Sequence, residues 1–266
     1  MKKSINYWNK FTVYGFVFDG PIDLCEYVRT ARINTNIFPI AKIKEYGSEG
    51  NDSTVNGGGW YRTKNLEEAL KMCEDGWNEG YDFYKSLNKR LERRTDKLQA
   101  ISADRSKPIN ILVDLAYSVG TPVNAIINRG VMIQNLVRVL EKNGYKVNLK
   151  AFSLISLEKE LSCIVTKLKE TNKELDPRRA YFAFCNPSFL RRIIFRVMEC
   201  SEFKNPNWIH GYGYTCLASF IKEAFNADKL DIVIPQASEI GIQGDNIEKD
   251  WKQFLQYENL EDFFQA

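Results

Sequence analysis

The sequence predicts an α/β protein: an open, mostly parallel sheet with one antiparallel edge strand, plus a helical N-terminal region. Three observations predict it. Ile109-Asn110-Ile111-Leu112-Val113-Asp114-Leu115 is almost continuously apolar, as a strand covered on both faces must be. Val123 to Asn143 carries an apolar stripe at Ile126, Ile127, Gly130, Ile133, Val137 and Leu140, and it stops at Gly144. A second apolar run, Tyr145 to Phe152, follows at once and completes a strand–helix–strand unit. In such a unit the residue leaving the first strand, here Asp114, stands where open α/β sheets place their ligands.

The other elements follow from local patterns. Phe11 to Phe18 reads as a short strand, and Asp19-Gly20-Pro21 then turns the chain into a short helix with proline at its first position. Gly47 to Gly59 is turn-forming and poor in apolar residues, which predicts a loop or linker. Gly57-Gly58-Gly59 lacks the Lys-Ser/Thr pair of a phosphate loop. Asn65 and Glu68 make a capping-box start. Behind them Leu66, Leu70, Cys73, Trp77, Tyr81, Tyr84, Leu87, Leu91 and Leu98 share one helical face. Gly76 and Gly80 each cost about 1 kcal/mol there relative to alanine, so a bend or break near Trp77 is expected. The helix is expected to pack on the domain, with a partner-binding coiled-coil arm as the alternative.

Leu161 to Leu168 is β-rich and too close behind the preceding strand for a crossover helix. It reads as an antiparallel edge strand reached by a hairpin. Asp176-Pro177 starts a helix through Phe184, and Asn186-Pro187 starts another from Ser188 to Cys200. Trp208 to Tyr214 is a glycine and aromatic loop, followed by a helix to about Ala227. Asp231 to Pro235 forms a further buried strand, and the last helix carries Trp251, Phe254 and Leu255. The division this suggests is 1–104, a mixed N-terminal region with the long amphipathic helix, and 105–266, the α/β domain.

Composition narrows the function classes. With 44% hydrophobic residues among 266 the chain can bury a large core, which excludes wholesale disorder. A net charge of +3 from 37 basic and 34 acidic residues carries no nucleic-acid signature. No apolar run approaches the ~18 residues of a membrane span, and the N-terminus lacks the apolar core of a signal peptide, so a cytoplasmic protein is expected. The six cysteines are scattered without a CxxC pair and read as free, buried thiols. His210 is the single histidine, so no zinc site and no cofactor are expected.

The order strand, helix, strand, hairpin strand, helices, strand resembles a von Willebrand factor A-like domain, a Rossmann-like fold. That resemblance implies a DxSxS loop that helps hold a divalent metal, with a threonine and an aspartate from later loops. The corresponding segment is Asp114-Leu115-Ala116-Tyr117-Ser118. Asp114 and Ser118 match, Ala116 replaces the middle serine, and Ile232-Val233-Ile234-Pro235-Gln236 offers no aspartate. Two side-chain ligands are too few for an octahedral cation, so no bound metal is expected. The chain also resembles an uncharacterised family of bacteriophage and plasmid proteins. The residues concerned are Asn65-Leu66-Glu67-Glu68-Ala69-Leu70 with Gly76-Trp77, Asn128-Arg129-Gly130, Asn186-Pro187-Ser188-Phe189-Leu190-Arg191-Arg192, and Gly211-Tyr212-Gly213. This likeness implies a mobile-element origin, hence a host cytoplasm, and brings no activity with it.

The function expected on these grounds is non-catalytic: a protein–protein interaction or assembly factor of a phage or mobile element. Its surface is the carboxyl-end rim, with Asp114, Tyr117, Ser118, Thr121, Arg129, Arg191, Arg192, His210 and Tyr212 as candidate binding residues. The von Willebrand factor A resemblance adds an AAA+ ATPase as a partner class. Two alternatives stay open. One is nucleic-acid binding through Arg129, Arg178, Arg179, Arg191 and Arg192; the other is a metal-dependent hydrolase using Asp114, Ser118 and His210.

Overall fold

A computed structural model describes residues 1–8, 10–50, 63–77, 81–100, 105–117, 120–204, 212, 214–227, 231–257, 260 and 264–265. The chain begins with β1 (Lys2–Trp8), β2 (Phe11–Phe18), α1 (Pro21–Thr30) and α2 (Ile40–Tyr46). Then come α3 (Leu66–Asp75), α4 (Tyr81–Thr95), β3 (Gln99–Ala100), β4 (Ile109–Asp114) and α5 (Val123–Lys142). The hairpin β5 (Val147–Leu157) and β6 (Glu160–Lys169) leads to α6 (Pro177–Cys185), a π-helical turn (Phe189–Ile194) and α7 (Phe195–Glu199). The last elements are β7 (Tyr214–Thr215), α8 (Ala218–Ala224), β8 (Ile232–Ile234), α9 (Ala237–Ile240), α10 (Ile247–Gln256) and β9 (Phe264–Gln265).

The local signals explain most of these boundaries. Asn65 Oδ1 accepts the Glu68 amide at 2.9 Å, and Asp176 Oδ1 accepts the amides of Arg178 and Arg179 at 3.0 and 3.2 Å. The expected break near Trp77 is made by Gly76, whose φ of +82° ends α3 and whose missing Cβ leaves room for Arg178. α4 packs against α5, α6 and α10 with Tyr84, Leu87 and Leu91 buried, so it is a packed helix and not an arm.

The sheet runs β1-β2-β6-β5-β4-β8, with β7 paired to the far end of β5. β4 pairs in parallel with both β5 and β8, as a doubly covered apolar strand should. Two expectations need correction. β6 is antiparallel to β5, but it is not an edge: β2 pairs with it in parallel from Thr12↔Glu160 to Phe18↔Thr166, and β1 closes that side. The sheet is therefore mixed rather than mostly parallel, because the N-terminal hairpin contributes an antiparallel pair of its own. β1 was not foreseen, since Lys2, Lys3, Ser4 and Asn6 dilute its apolar content. Sheet and core alike take in residues from both sides of the 104/105 position.

The two faces of the sheet are covered unequally. One face holds the larger core, with Phe16, Ile111, Val113, Leu149, Ala151 and Ile164 beneath the helices. The other holds Leu112, Phe152, Leu154, Leu161, Val165 and Val233 under α8, with Ile221 buried among them. α5 lies between the sheet and α4, α6 and α10, so it is buried nearly all round. Gly130 is the point of closest approach to α6, where a Cβ would overlap Cys185 and the Phe184 backbone. Among the described residues no helix is long and apolar enough to cross a membrane.

Candidate functional site

The carboxyl ends of β4 and β8 lie side by side, and a buried arginine joins them. Arg129, nearly two turns into α5, donates from Nη1 to the Asp114 carbonyl at 3.0 Å and to the Pro235 carbonyl at 2.8 Å; its Nη2 also donates to Asp114 O. Burial lowers the Arg129 pKa to about 10, which leaves the guanidinium charged at neutral pH. It is thus an internal brace between strand ends, not an outward-facing rim residue.

Asp114 is fully buried. It stands two residues beyond Leu112 and opposite Phe152, so its side chain belongs to the α8 face of the sheet. Oδ1 accepts the Ala116 amide at 2.9 Å, closing an Asx-type turn at the strand exit. Oδ2 has no hydrogen-bond partner among the described residues. Burial raises the carboxyl pKa to about 7, against the Ala116 amide and the charge on Arg129, while Glu239 adds to the rise.

Two more acceptors converge on this corner. Gln236 follows β8 and donates from Nε2 to Thr215 Oγ1 at 3.2 Å, and its buried Oε1 has no partner among the described residues. Glu239 on α9 accepts the Ala218 amide at 3.1 Å through Oε1, and its Oε2 likewise has no partner among the described residues. Cys216 is near enough for Asp114 to raise its pKa further, although burial is the main cause of that shift. On either side of Cys216 the chain turns Tyr214 and Leu217 outward, 52% and 63% exposed. Among the described residues the corner is therefore rich in acceptors and poor in donors, and two large exposed side chains, Tyr214 and Leu217, form its lip.

The remaining candidates divide. Tyr117 donates to the Pro187 carbonyl at 2.9 Å, and the Arg191 guanidinium lies 5.9 Å from the Tyr117 ring centre and 5.2 Å from that of Phe195. Tyr117, Arg129, Asn186, Leu190 and Ala237 enclose a cavity of about 10 Å³, room for one water. Thr121 is buried before α5. Ser118 and His210 lie outside the described residues, as does most of the glycine loop from Asn51 onward.

Arg192 and Tyr212 belong to a second polar network, and their place in it corrects the expectation of a common surface. Arg192 is 1% exposed; it donates to Thr63 Oγ1 and O, each at 2.7 Å, and to the carbonyls of Ser48 and Gly50 at 3.0 and 2.9 Å. Tyr212 stacks on Phe195 with ring centres 4.0 Å apart and donates to Glu199 Oε1 at 2.5 Å. Glu199, fully buried, also accepts from the Ser48 amide at 2.8 Å and from Ser48 Oγ at 2.6 Å, with Arg196 Nε 3.3 Å away. Burial holds the Glu199 pKa above the usual carboxylate range against these partners. The five arginines named for nucleic acid do not form one surface. Arg129 and Arg192 are interior, Arg179 donates to the Glu74 carbonyl at 2.7 Å, and Arg191 lies over aromatic rings.

Sequence reasoning missed Gln236, Glu239, Glu199 and Ser48. Glu199 had a signal, a lone carboxylate in the apolar run Phe195-Arg196-Val197-Met198-Glu199-Cys200. Glu239 stands just beyond the segment searched for an acid after β8. Ser48 had none, being 151 residues from the carboxylate it binds. Among the described residues no three His, Cys, Asp or Glu side chains converge in a metal-ligating group.

The fold and these networks define a mixed-sheet α/β protein in which one buried guanidinium, that of Arg129, joins the ends of two strands and a second, that of Arg192, ties together segments outside the sheet. The chain belongs to the family described as Domain of unknown function (DUF7192), whose model matches residues 95–262, from the end of α4 past α10. No curated protein and no solved structure matches the chain.

Proposed function

We propose that the protein is a non-catalytic recognition module that binds a protein partner at the carboxyl-end rim, as an accessory or assembly factor of a phage or mobile element. The observation that carries this reading is the corner formed by Asp114, Gln236 and Glu239. Among the described residues it holds three buried acceptor oxygens that receive no hydrogen bond, beside the exposed side chains of Tyr214 and Leu217. An acceptor cluster of this kind is completed by a donor, and a partner's lysine or arginine supplies one while its neighbours cover the apolar lips. The von Willebrand factor A resemblance suggests an AAA+ ATPase as the partner class. No observation favours either alternative: the arginines are dispersed, and Ser118 and His210 lie outside the described residues.

The test is affinity capture from expressing cells with wild-type protein, a Tyr214→Ser/Leu217→Lys variant, and Phe83→Ser as a control. Phe83 is exposed on α4, away from this corner. A partner lost from the rim variant and kept by the control supports the proposal. Retention of every partner by the rim variant refutes it.

A further inference from the structure

α1 and α3 pack against each other, and one cysteine from each meets at their contact. Cys25 and Cys73 are both buried, 0% and 1% exposed. The Cys25 thiol donates to the Leu70 carbonyl of α3 at 3.8 Å, and the Cys73 thiol to the Pro21 carbonyl of α1 at 3.9 Å. Each acceptor stands about one helical turn ahead of the opposite cysteine, so the two side chains lie side by side. The thiols are also in hydrogen-bond contact with each other. Among the described residues no other two cysteines touch in this way. Cys163 feels the charge of Cys216 without a hydrogen bond to it, Cys185 sits by Arg129, and Cys200 by Arg196 and Glu199.

Two thiols already in contact across packed helices need little more than side-chain rotation to reach disulfide geometry. Their reactivity is set by burial. Burial, and after it the bond to Cys25, holds the Cys73 pKa well above the ordinary thiol range, against the charge on Arg179. Thiolate is therefore scarce, and reaction is slow while the helices stay closed. Two features favour access. A groove of about 510 Å³ runs past Pro21 and Arg179, the first bonded to the Cys73 thiol and the second acting on its charge. On the outside, α1 is tied to α3 by exposed bonds from Arg29 to Glu67 at 3.0 Å and to Glu74 at 2.9 Å, and such pairs hold weakly in water.

We propose that Cys25 and Cys73 are a reversible dithiol, oxidised by hydrogen peroxide to a disulfide that staples α1 to α3. One thiolate attacks a peroxide oxygen, the O–O bond breaks, and the departing hydroxide leaves as water with the thiol's proton. The sulfenic acid so formed lies beside the second thiol. That thiol attacks its sulfur, the S–S bond forms, the S–O bond breaks, and a second water leaves. Overall two thiols and one peroxide give one disulfide and two waters, with sulfur oxidised and peroxide oxygen reduced. Contact between the thiols lets the second capture the sulfenic acid before a further peroxide does. In a reducing compartment a bond of this kind is transient and registers oxidant. The proposal stands apart from the rim.

The experiment exposes the reduced full chain to hydrogen peroxide in native buffer, blocks the remaining thiols with an alkylating reagent after denaturation, and maps the peptides by mass. The expected result is loss of two of the six thiols, a linked peptide joining Cys25 to Cys73, four unmodified thiols, and full recovery on treatment with dithiothreitol. The link closes a loop of roughly 50 residues, so the oxidised chain should melt about 5–10 °C above the reduced one. Cys73→Ala should abolish both the link and the rise in melting temperature; the map on the wild type needs no variant to fold. The proposal is overturned if all six thiols survive until the protein unfolds, if the link joins any other two cysteines, or if the oxidised chain melts no higher than the reduced one.

Discussion

Replacing Asp114 by asparagine tests the geometry of the rim through its pH dependence. The carboxyl pKa rises from an ordinary 3.8 to about 7 in the folded chain, chiefly because it is buried. Between those values the native state keeps a proton that the unfolded state has released. Stability is therefore fully present below about pH 4 and falls as pH rises towards 7. The gap is about three pH units at ~1.4 kcal/mol each, on the order of 4 kcal/mol. Asparagine cannot ionise, and its Oδ1 still accepts the Ala116 amide, so Asp114→Asn lacks this slope. Glu199 is shifted in the same direction, but it is present in both proteins and cancels in the comparison. Urea unfolding at steps from pH 4 to 8 should show the wild type losing ground to the variant up to about pH 7 and the difference levelling off above it. Parallel curves would show that Asp114 is ordinarily hydrated and that the rim has been described wrongly.

Three further outcomes follow from the interior. Arg192→Lys removes the planar fork that serves Thr63, Ser48 and Gly50 together, and it should cost ~3–5 kcal/mol in denaturant melts; a loss below ~1 kcal/mol would contradict the network. Gly47→Ala places a Cβ against Tyr212 Oη and Glu199 Oε1, and ~1–3 kcal/mol of destabilisation is expected from calorimetry. The thiols of Cys163, Cys185, Cys200 and Cys216 are all shifted upward by burial, so an aromatic disulfide reagent at mildly alkaline pH should modify them only on unfolding. Rapid reaction of any of the four in the native protein would count against the packing around it.

How much of this was legible depends on the range of the forces involved. The β4–α5–β5 unit, the break at Gly76 and the caps at Asn65 and Asp176 were readable because each is fixed by residues within a turn or a strand of one another. The interior position of β6 was not, since it depends on β2 pairing across some 150 residues and nothing near Leu161 announces that neighbour. The site split in the same way. Asp114 could be placed because its position follows from β4, yet the face it lies on is covered by α8 and by Cys216, about 100 residues further along the chain. Arg129 and Arg192 were misread as surface groups because charge is ordinarily exposed; here main-chain carbonyls satisfy both guanidiniums in the interior. The π-helical turn at Phe189 had no sequence signal that we recognise.

These braces bear on how the rim would recognise a partner. Arg129 stays charged across the physiological range, so the ends of β4 and β8 are held alike at pH 6 and pH 8. Asp114, by contrast, changes charge near pH 7, and a partner's cation is drawn only to its ionised form. If the partner reaches Asp114, binding must release the proton, and affinity should fall about tenfold per pH unit below 7. Contacts confined to Tyr214 and Leu217 have no such slope, because neither apolar contact ionises there. The affinity of the captured partner, measured from pH 5.5 to 8 for wild type and Asp114→Asn, separates the two cases. A steep wild-type profile that flattens in the variant places the partner's cation at Asp114. Flat profiles in both would restrict recognition to the apolar lips and remove the acceptor corner from the mechanism.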